Sequence, residues 1–126
     1  MVVIVIIGLA AAAVVLAVPE SGGSVQAEAE RFAARVKAAR DAAIVEARPA
    51  ALAVDGAGYG FERRVGGAWQ PAARHDWAEG TSVEASAART RFDSTGLAEP
   101  LSLILRRGEQ AAAVDIGADG SVHVRR

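Results

Sequence analysis

The side chains that could carry chemistry in this chain are two histidines and a scatter of single carboxylates. His75 and His123 lie far apart in the sequence, and neither has a second histidine or a carboxylate at metal-ligand spacing. We therefore expect both histidines to face solvent. The chain contains no cysteine, which excludes a thiolate nucleophile, thiolate metal sites and disulfides.

Two glycine-containing runs resemble ligand-binding loops but lack their essential residues. The run at 115–120 reads Asp-Ile-Gly-Ala-Asp-Gly and has neither the alternating carboxylates nor the closing Glu of a calcium loop, so we predict a turn. Gly56, Gly58 and Gly60 lie between predicted strands with no helix after them, which does not fit a phosphate cradle. No nucleophile elbow and no paired carboxylates are present. We predict a protein that is not an enzyme and that needs neither a cofactor nor a metal.

Arginine pairs are the remaining candidates for binding chemistry. Neighbouring residues on a strand point to opposite faces, so one guanidinium from each pair could converge into a phosphate-binding patch. However, 14 Lys and Arg oppose 15 Asp and Glu, giving a net charge of -1, which makes a nucleic-acid partner the weaker hypothesis. We expect these arginines to solvate edge strands instead. The pairs are Arg63-Arg64, Arg106-Arg107 and Arg125-Arg126.

The chain opens with an apolar segment, residues 1–18, that contains no charged or polar side chain. As a helix it would be about 27 Å long, close to the ~30 Å hydrocarbon core of a bilayer. The segment lacks the basic start that a cleaved secretory signal requires. It is also too long for a buried core helix, because the rest of the chain is too small to enclose it. We predict a transmembrane or filament-core helix whose small residues permit close helix packing. Its assembly residues are Val2, Val3, Ile4, Ile6, Ile7, Gly8, Leu9, Val14, Val15 and Leu16.

A hinge and a second helix follow. Residues 19–24 contain Pro19, Gly22 and Gly23, which interrupt helical geometry. Ser24 is a suitable N-cap for a helix over 25–47, with Glu28 near its positive end. Apolar residues recur in that helix at spacings of three and four, which predicts one stripe packed on a sheet. The packing residues are Val25, Phe32, Val36, Ala43 and Ile44.

After Pro49 the sequence pattern changes from helical to alternating. Turn signals at 55–58, Gly66-Gly67 and Asp119-Gly120 separate six or seven short antiparallel strands over 50–126. Trp69 is expected to begin a short strand before Pro71, and residues 72–81 are expected to form a loop. The fold class is therefore α+β, with one helix packed on a small antiparallel β head.

Five stretches together resemble the minor pseudopilin H family of bacterial type II secretion (general secretion pathway protein H). The family shares its pattern with FimT-like type IV minor pilins. The matching stretches are the apolar helix at 2–18, the helix end at 38–44, the first hairpin at 54–71, the Phe-x-x-x-Gly turn at 91–96 and the closing hairpin at 114–122.

The resemblance implies a pilin-like fold in which the long N-terminal apolar helix continues into the amphipathic helix on the β head. It implies a structural subunit near the tip of the pseudopilus filament that exports proteins across the outer membrane. The partners would be other minor and major pseudopilins and the inner-membrane secretion platform. The chain would be a single-pass inner-membrane protein with its head, residues 25–126, in the periplasm.

The family's processing motif, Gly-Phe-Thr-Leu-Ile-Glu directly before the apolar helix, is absent from this sequence. Either the natural start lies upstream of Met1 or this sequence is a truncated form. If the start lies upstream, prepilin peptidase would be a further partner and the first Phe would carry a methyl group. Two alternatives remain open: a FimT-like type IV minor pilin whose head binds DNA, and a membrane-anchored periplasmic domain that joins no filament.

Overall fold

The computed structural model of the protein describes residues 24–125. The predicted apolar helix over 1–18, with all its assembly residues, and the hinge residues Pro19, Gly22 and Gly23 lie outside this range. Within the part of the chain that is described, no helix is long and apolar enough to cross a membrane.

Helix α1 spans Val25–Glu46 and begins where the N-cap signal predicts. The Oγ of Ser24 accepts a hydrogen bond from the backbone N–H of Ala27 at 2.9 Å, which satisfies one of the free donors of the first turn. Ala47 ends the helix in the left-handed conformation, with φ of 53°. Pro49 prevents a further turn because it disfavours helical geometry in the residue before it.

Eight antiparallel strands follow the helix within the described residues, one more than the upper end of the predicted range. They are β1 (Ala50–Val54), β2 (Gly58–Val65), β3 (Ala68–Asp76), β4 (Ser82–Ala85), β5 (Arg89–Phe92), β6 (Leu101–Arg107), β7 (Gln110–Ile116) and β8 (Val122–Arg125).

The strands form two four-stranded sheets rather than one. The first sheet has the order β3-β2-β1-β5 and the second the order β4-β6-β7-β8. Because β4 belongs to the second sheet while β5 returns to the first, the chain crosses between the sheets three times. The predicted hairpin at Asp119-Gly120 joins β7 to β8, and Gly66-Gly67 joins β2 to β3 with both glycines at positive φ.

The prediction of a loop over 72–81 is wrong for its first half. Strand β3 continues through Pro71 to Asp76. Proline is tolerated in a strand at a sheet edge or at a bulge, and Pro71 meets both conditions. Strand β3 is the edge of its sheet, and Glu62 pairs with Pro71 while Phe61 pairs with Ala73, so Ala72 is the extra residue of a bulge.

The core lies between α1 and the two sheets. The helix packs on β7, β8 and β6 of the second sheet and on β1 of the first. Three aromatic side chains meet at its N-terminal half: the ring centroids of Phe32 and Tyr59 are 4.8 Å apart, and those of Tyr59 and Trp77 also 4.8 Å. Trp77, which was expected in a loop, is a core residue whose indole N–H donates to the carbonyl of Asp55 at 2.9 Å.

Candidate assembly surface of the head

The residues predicted to pack the helix on the sheets fall into two groups. Val25, Phe32, Val36 and Ala43 are all buried, and their side chains belong to one core cluster. Ile44 is 40% exposed. Its Cδ1 lies over the backbone of Gly96, where a Cβ would approach it to 2.8 Å. Ile44 therefore lies at the margin of the core rather than within it.

Glu28 has a larger role than its predicted interaction with the helix dipole. Its side chain is buried, with one carboxylate oxygen accepting from the N–H of Ala78 at 2.6 Å and the other from the hydroxyl of Thr81 at 3.0 Å. The guanidinium of Arg107 on β6 forms an ion pair with the same carboxylate. Glu28 thus joins the helix to the segment after β3 and to the second sheet. The detectable sequence signal was an acidic residue beside Val25 and Ala29 on the apolar stripe.

The described members of the arginine pairs contact carboxylates or an aromatic ring. Arg63 lies 3.2 Å from Glu46, Arg106 lies 2.9 Å from Glu84, and Arg125 pairs with Asp115. The guanidinium of Arg64 lies 5.4 Å from the ring centroid of Trp69. Arg126 lies outside the described residues. These contacts direct the guanidinium groups to partners within the same head. The expectation that the arginine pairs solvate edge strands is wrong for Arg63-Arg64 and Arg106-Arg107, because β2 and β6 are interior strands of their sheets. Among the described members, Arg125 on β8 does lie on an edge strand.

Within residues 24–125, every carboxylate whose pKa differs clearly from its ordinary value has a lowered pKa. Hydrogen bonds from the N–H groups of Gly58 and Ala57 lower the pKa of Asp55. The Arg91 guanidinium lowers the pKa of Glu99, and the Arg125 guanidinium lowers that of Asp115. Bonds from Thr95 and Ser121 lower the pKa of Asp93 and of Asp119. Turn hydrogen bonds and ion pairs thus hold these carboxylates in the charged form.

The two histidines differ from each other. His123 is exposed on β8, as expected. His75 is half-buried, because it pairs in register with Tyr59 across the β2–β3 ladder and its ring centroid lies 5.3 Å from that of Tyr59. The expectation of a solvent-facing side chain is therefore wrong for His75. Within the described residues no group of three His, Asp or Glu side chains is placed to hold a metal ion.

Several concave surfaces border the first sheet in the described part of the chain, among them two with mainly apolar linings. The first, which we call the alanine groove, has a volume of about 280 Å³ and lies between α1 and strands β1 to β3. The second is an open depression of about 480 Å³ beside Trp69, walled by residues that include Pro49, Phe92 and Leu97. The alanine groove is lined by Ala38, Ala39, Ala42, Ala43, Ala50, Phe61 and Ala72, and its rim carries Arg35, Glu46, Arg48, Glu62 and Arg63.

The head thus combines an N-terminal amphipathic helix, antiparallel sheets packed on that helix, and apolar surface grooves. This arrangement defines a pilin-like α+β head. A family model described as Type II transport protein GspH matches residues 28–120. The chain belongs to this family, which confirms the resemblance to pseudopilin H.

Solved structures share the fold at low sequence identity. The minor pseudopilin EpsH of the Vibrio cholerae Type 2 Secretion System aligns with a TM-score of 0.69 and 16% identity, over 77% of this chain and 92% of that one. The Pseudomonas aeruginosa type IV minor pilin FimU aligns with a TM-score of 0.67 and 15% identity, over 80% of this chain and 87% of that one. GspH of E. coli aligns with a TM-score of 0.65 and 16% identity, over 79% of this chain and 87% of that one. A search of curated proteins by sequence finds no match.

Proposed function

We propose that this protein is a structural, non-enzymatic minor pseudopilin of a type II secretion system, which helps to assemble the filament tip for protein export across the outer membrane. The observation that carries the proposal is the family match over residues 28–120, which coincides with a head of pilin type. In such a head the useful features are surfaces, because assembly requires packing between subunits rather than a reactive group.

The proposal includes a membrane anchor. Residues 1–18 are apolar throughout and every charged residue of the chain follows Val18, so the segment has the length and composition of a bilayer-spanning helix. We assign the helix to the inner membrane and the filament core, residues 19–24 to a hinge, and the head to the periplasm. Helix α1 begins at Val25, immediately after the hinge.

The proposed partners are other minor and major pseudopilins and the inner-membrane secretion platform. Small residues in the apolar helix, such as Gly8 and Ala10, would let neighbouring helices approach closely in the filament core. The family match favours a type II secretion system over a type IV pilus, although FimU demonstrates that the same fold occurs in a type IV minor pilin.

Substitutions in the apolar helix test the assembly function. Ile6→Asp places a charge where subunits would pack in an apolar environment, and Gly8→Leu removes a position of close approach. We expect either change to abolish recovery of the protein with sheared filaments while the circular dichroism and thermal melting of the head stay unchanged. Ile6→Leu is the matched control and should assemble normally. Normal incorporation of both Ile6→Asp and Gly8→Leu would refute the role of this helix in assembly.

A further inference from the structure

The alanine groove exists because short side chains line both of its sides. Ala38 and Ala42 lie one turn apart on the helix side, and Ala50 and Ala72 lie on the sheet side with Phe61. An alanine side chain ends at Cβ, so the helix flank and the sheet cannot fill the space between them. The result is an apolar cavity of about 280 Å³ that opens to the surface.

The groove has the size and lining to hold an apolar side chain of a partner protein. Protein interfaces often obtain most of their affinity from one or two apolar anchors that enter such a pocket. A Leu, Ile or Phe side chain from a partner would cover Phe61 and the alanine methyl groups.

The acidic residues on the groove rim are already neutralised. The carboxylate of Glu46 lies 3.2 Å from the Arg63 guanidinium. The carboxylate of Glu62 lies 2.9 Å from Arg89 on β5. Neither acid is therefore available to balance the other basic groups on the rim.

Two rim arginines lack a carboxylate partner within residues 24–125. Arg35 donates a hydrogen bond to the Tyr59 hydroxyl at 2.8 Å, a neutral acceptor. Arg48 is exposed, and its guanidinium makes no ion pair or hydrogen bond with any described side chain. The rim of an apolar cavity therefore carries a surplus of positive charge, which favours an anionic group beside the apolar anchor.

Strand addition is the less suitable way to bind at this side of the head. The neighbouring sheet edge is β3, where Pro71 removes a backbone donor and Ala72 forms a bulge. Both features discourage pairing with another strand. A partner must therefore dock through side chains.

We propose that the alanine groove docks a neighbouring subunit through an apolar side chain that has an Asp or Glu within two residues of it. The apolar side chain enters between Ala38, Ala42 and Phe61, and the carboxylate pairs with Arg48 or Arg35. The identity of the partner as a pilin-like subunit rests on the proposed function.

Site-specific crosslinking of the full chain tests the groove, since the natural sequence contains no cysteine. Ala42→Cys, labelled with a benzophenone maleimide in membranes from producing cells, places the probe in the groove. Ala34→Cys, exposed on the same helix but outside the groove, is the matched control. We expect at least a fivefold higher yield from position 42, with the attached partner residue apolar and within two residues of an Asp or Glu.

Charge reversal tests the second part of the proposal. Arg48→Glu should lower the crosslinking yield at position 42 at least threefold, because it repels the partner's carboxylate. Lys37→Glu makes the same change of charge at an exposed position away from the rim and should leave the yield unchanged. An equal effect of both variants, or a crosslinked segment without an acidic residue, would overturn the proposal.

A third probe separates failure of the groove from failure of the proposed function. Ala13→Cys places the label in the apolar segment. If position 13 crosslinks to pilin-like subunits while position 42 does not exceed position 34, the groove proposal is wrong and the pseudopilin function stands. If neither position 13 nor position 42 captures a pilin-like subunit, both are wrong. Attachment of the position-42 probe to lipid or nucleic acid also overturns the groove proposal.

Discussion

Glu28 illustrates how one buried charge connects segments that are distant in the sequence. Its carboxylate lies in the first turn of α1, where the helix dipole favours a negative group. It also accepts from Ala78 and Thr81 and pairs with Arg107. The same residue therefore stabilises the helix start, orders the segment after β3 and joins that segment to β6.

Replacing Glu28 with Ala should lower the free energy of unfolding by about 2–3 kcal/mol, because the half-buried N–H of Ala78 and the Thr81 hydroxyl lose their acceptor. Urea unfolding followed by circular dichroism measures the change. Glu30→Ala, at an exposed position of the same turn, should change stability by less than about 0.5 kcal/mol. Equal effects of the two variants would contradict the role of Glu28.

The lowered carboxylate pKa values predict acid destabilisation. The pKa values of Asp55, Asp93, Asp115, Asp119 and Glu99 are lower in the folded protein than their ordinary values. Between the folded and unfolded pKa values the unfolded chain binds more protons, so stability rises with pH there. The contribution is complete above the unfolded pKa values of about 4 and is lost as the pH falls through the folded values.

Unfolding in urea at a series of pH values checks this expectation. The free energy of unfolding should be flat from pH 7 to about 5 and should fall below about 4. Asp93→Asn should reduce the slope, since an amide still accepts the Thr95 and Leu97 N–H groups but cannot be protonated in this range. A stability that increases on acidification would contradict the prediction.

Gly96, in the loop after β5, and Gly120, in the β7–β8 turn, both lie against Arg40 of α1. The carbonyl of Gly96, in the loop after β5, accepts from Arg40 Nε on α1 at 3.2 Å. A Cβ on Gly120, in the β7–β8 turn, would lie 2.0 Å from that carbonyl oxygen and 2.5 Å from Arg40 Nε. This contact between the loops from the two sheets therefore requires glycine at position 120.

Gly120→Ala should cost about 3 kcal/mol, as the sum of a positive-φ penalty of about 1 kcal/mol and a packing conflict of about 2 kcal/mol. Gly108→Ala is the matched control: its φ is +60° but its Cβ would have no atom within 4 Å. It should cost only about 1 kcal/mol, which reflects the backbone alone. Thermal melting measures both variants, and equal losses would show that the loop contact contributes nothing.

At the scale of the whole molecule, α1 makes one core out of two sheets. Phe32 is fully buried on the helix, where it contacts Tyr59 of β2 and Trp77. The same helix packs on β6, β7 and β8 of the second sheet. Because the buried side chains of the helix and of both sheets form one core cluster, the two sheets should unfold together.

Phe32→Leu tests this coupling by removing the aromatic contacts to the first sheet. We expect a loss of about 1–2 kcal/mol, smaller than the ~3–5 kcal/mol for Phe→Ala, since part of the volume is retained. Hydrogen exchange should show an equal loss of protection in β2 and β7. Loss confined to β1 and β2, with β7 unchanged, would show that the sheets are independent units.

Helix α1 and two of the hairpins could be predicted from the sequence, because each depends on residues that are close together in the chain. The spacing of apolar residues and Ser24 defined α1, and the turn pairs Gly66-Gly67 and Asp119-Gly120 located two hairpins. Four of the five predicted packing residues lie in the core, with Ile44 at its edge. These features depend on backbone conformation and on helical periodicity, which a single segment contains.

Tertiary structure alone decided the features that depend on contacts between distant segments. The passage of β3 through Pro71 depends on its position at a sheet edge, and the division of β4 and β5 between two sheets follows from long-range pairing. The burial of Trp77 and the alanine groove likewise need α1 and the first sheet to come together. Alanine residues in a sequence predict a helix but not a cavity. A cavity forms only where the side chains of the opposing sheet are also short.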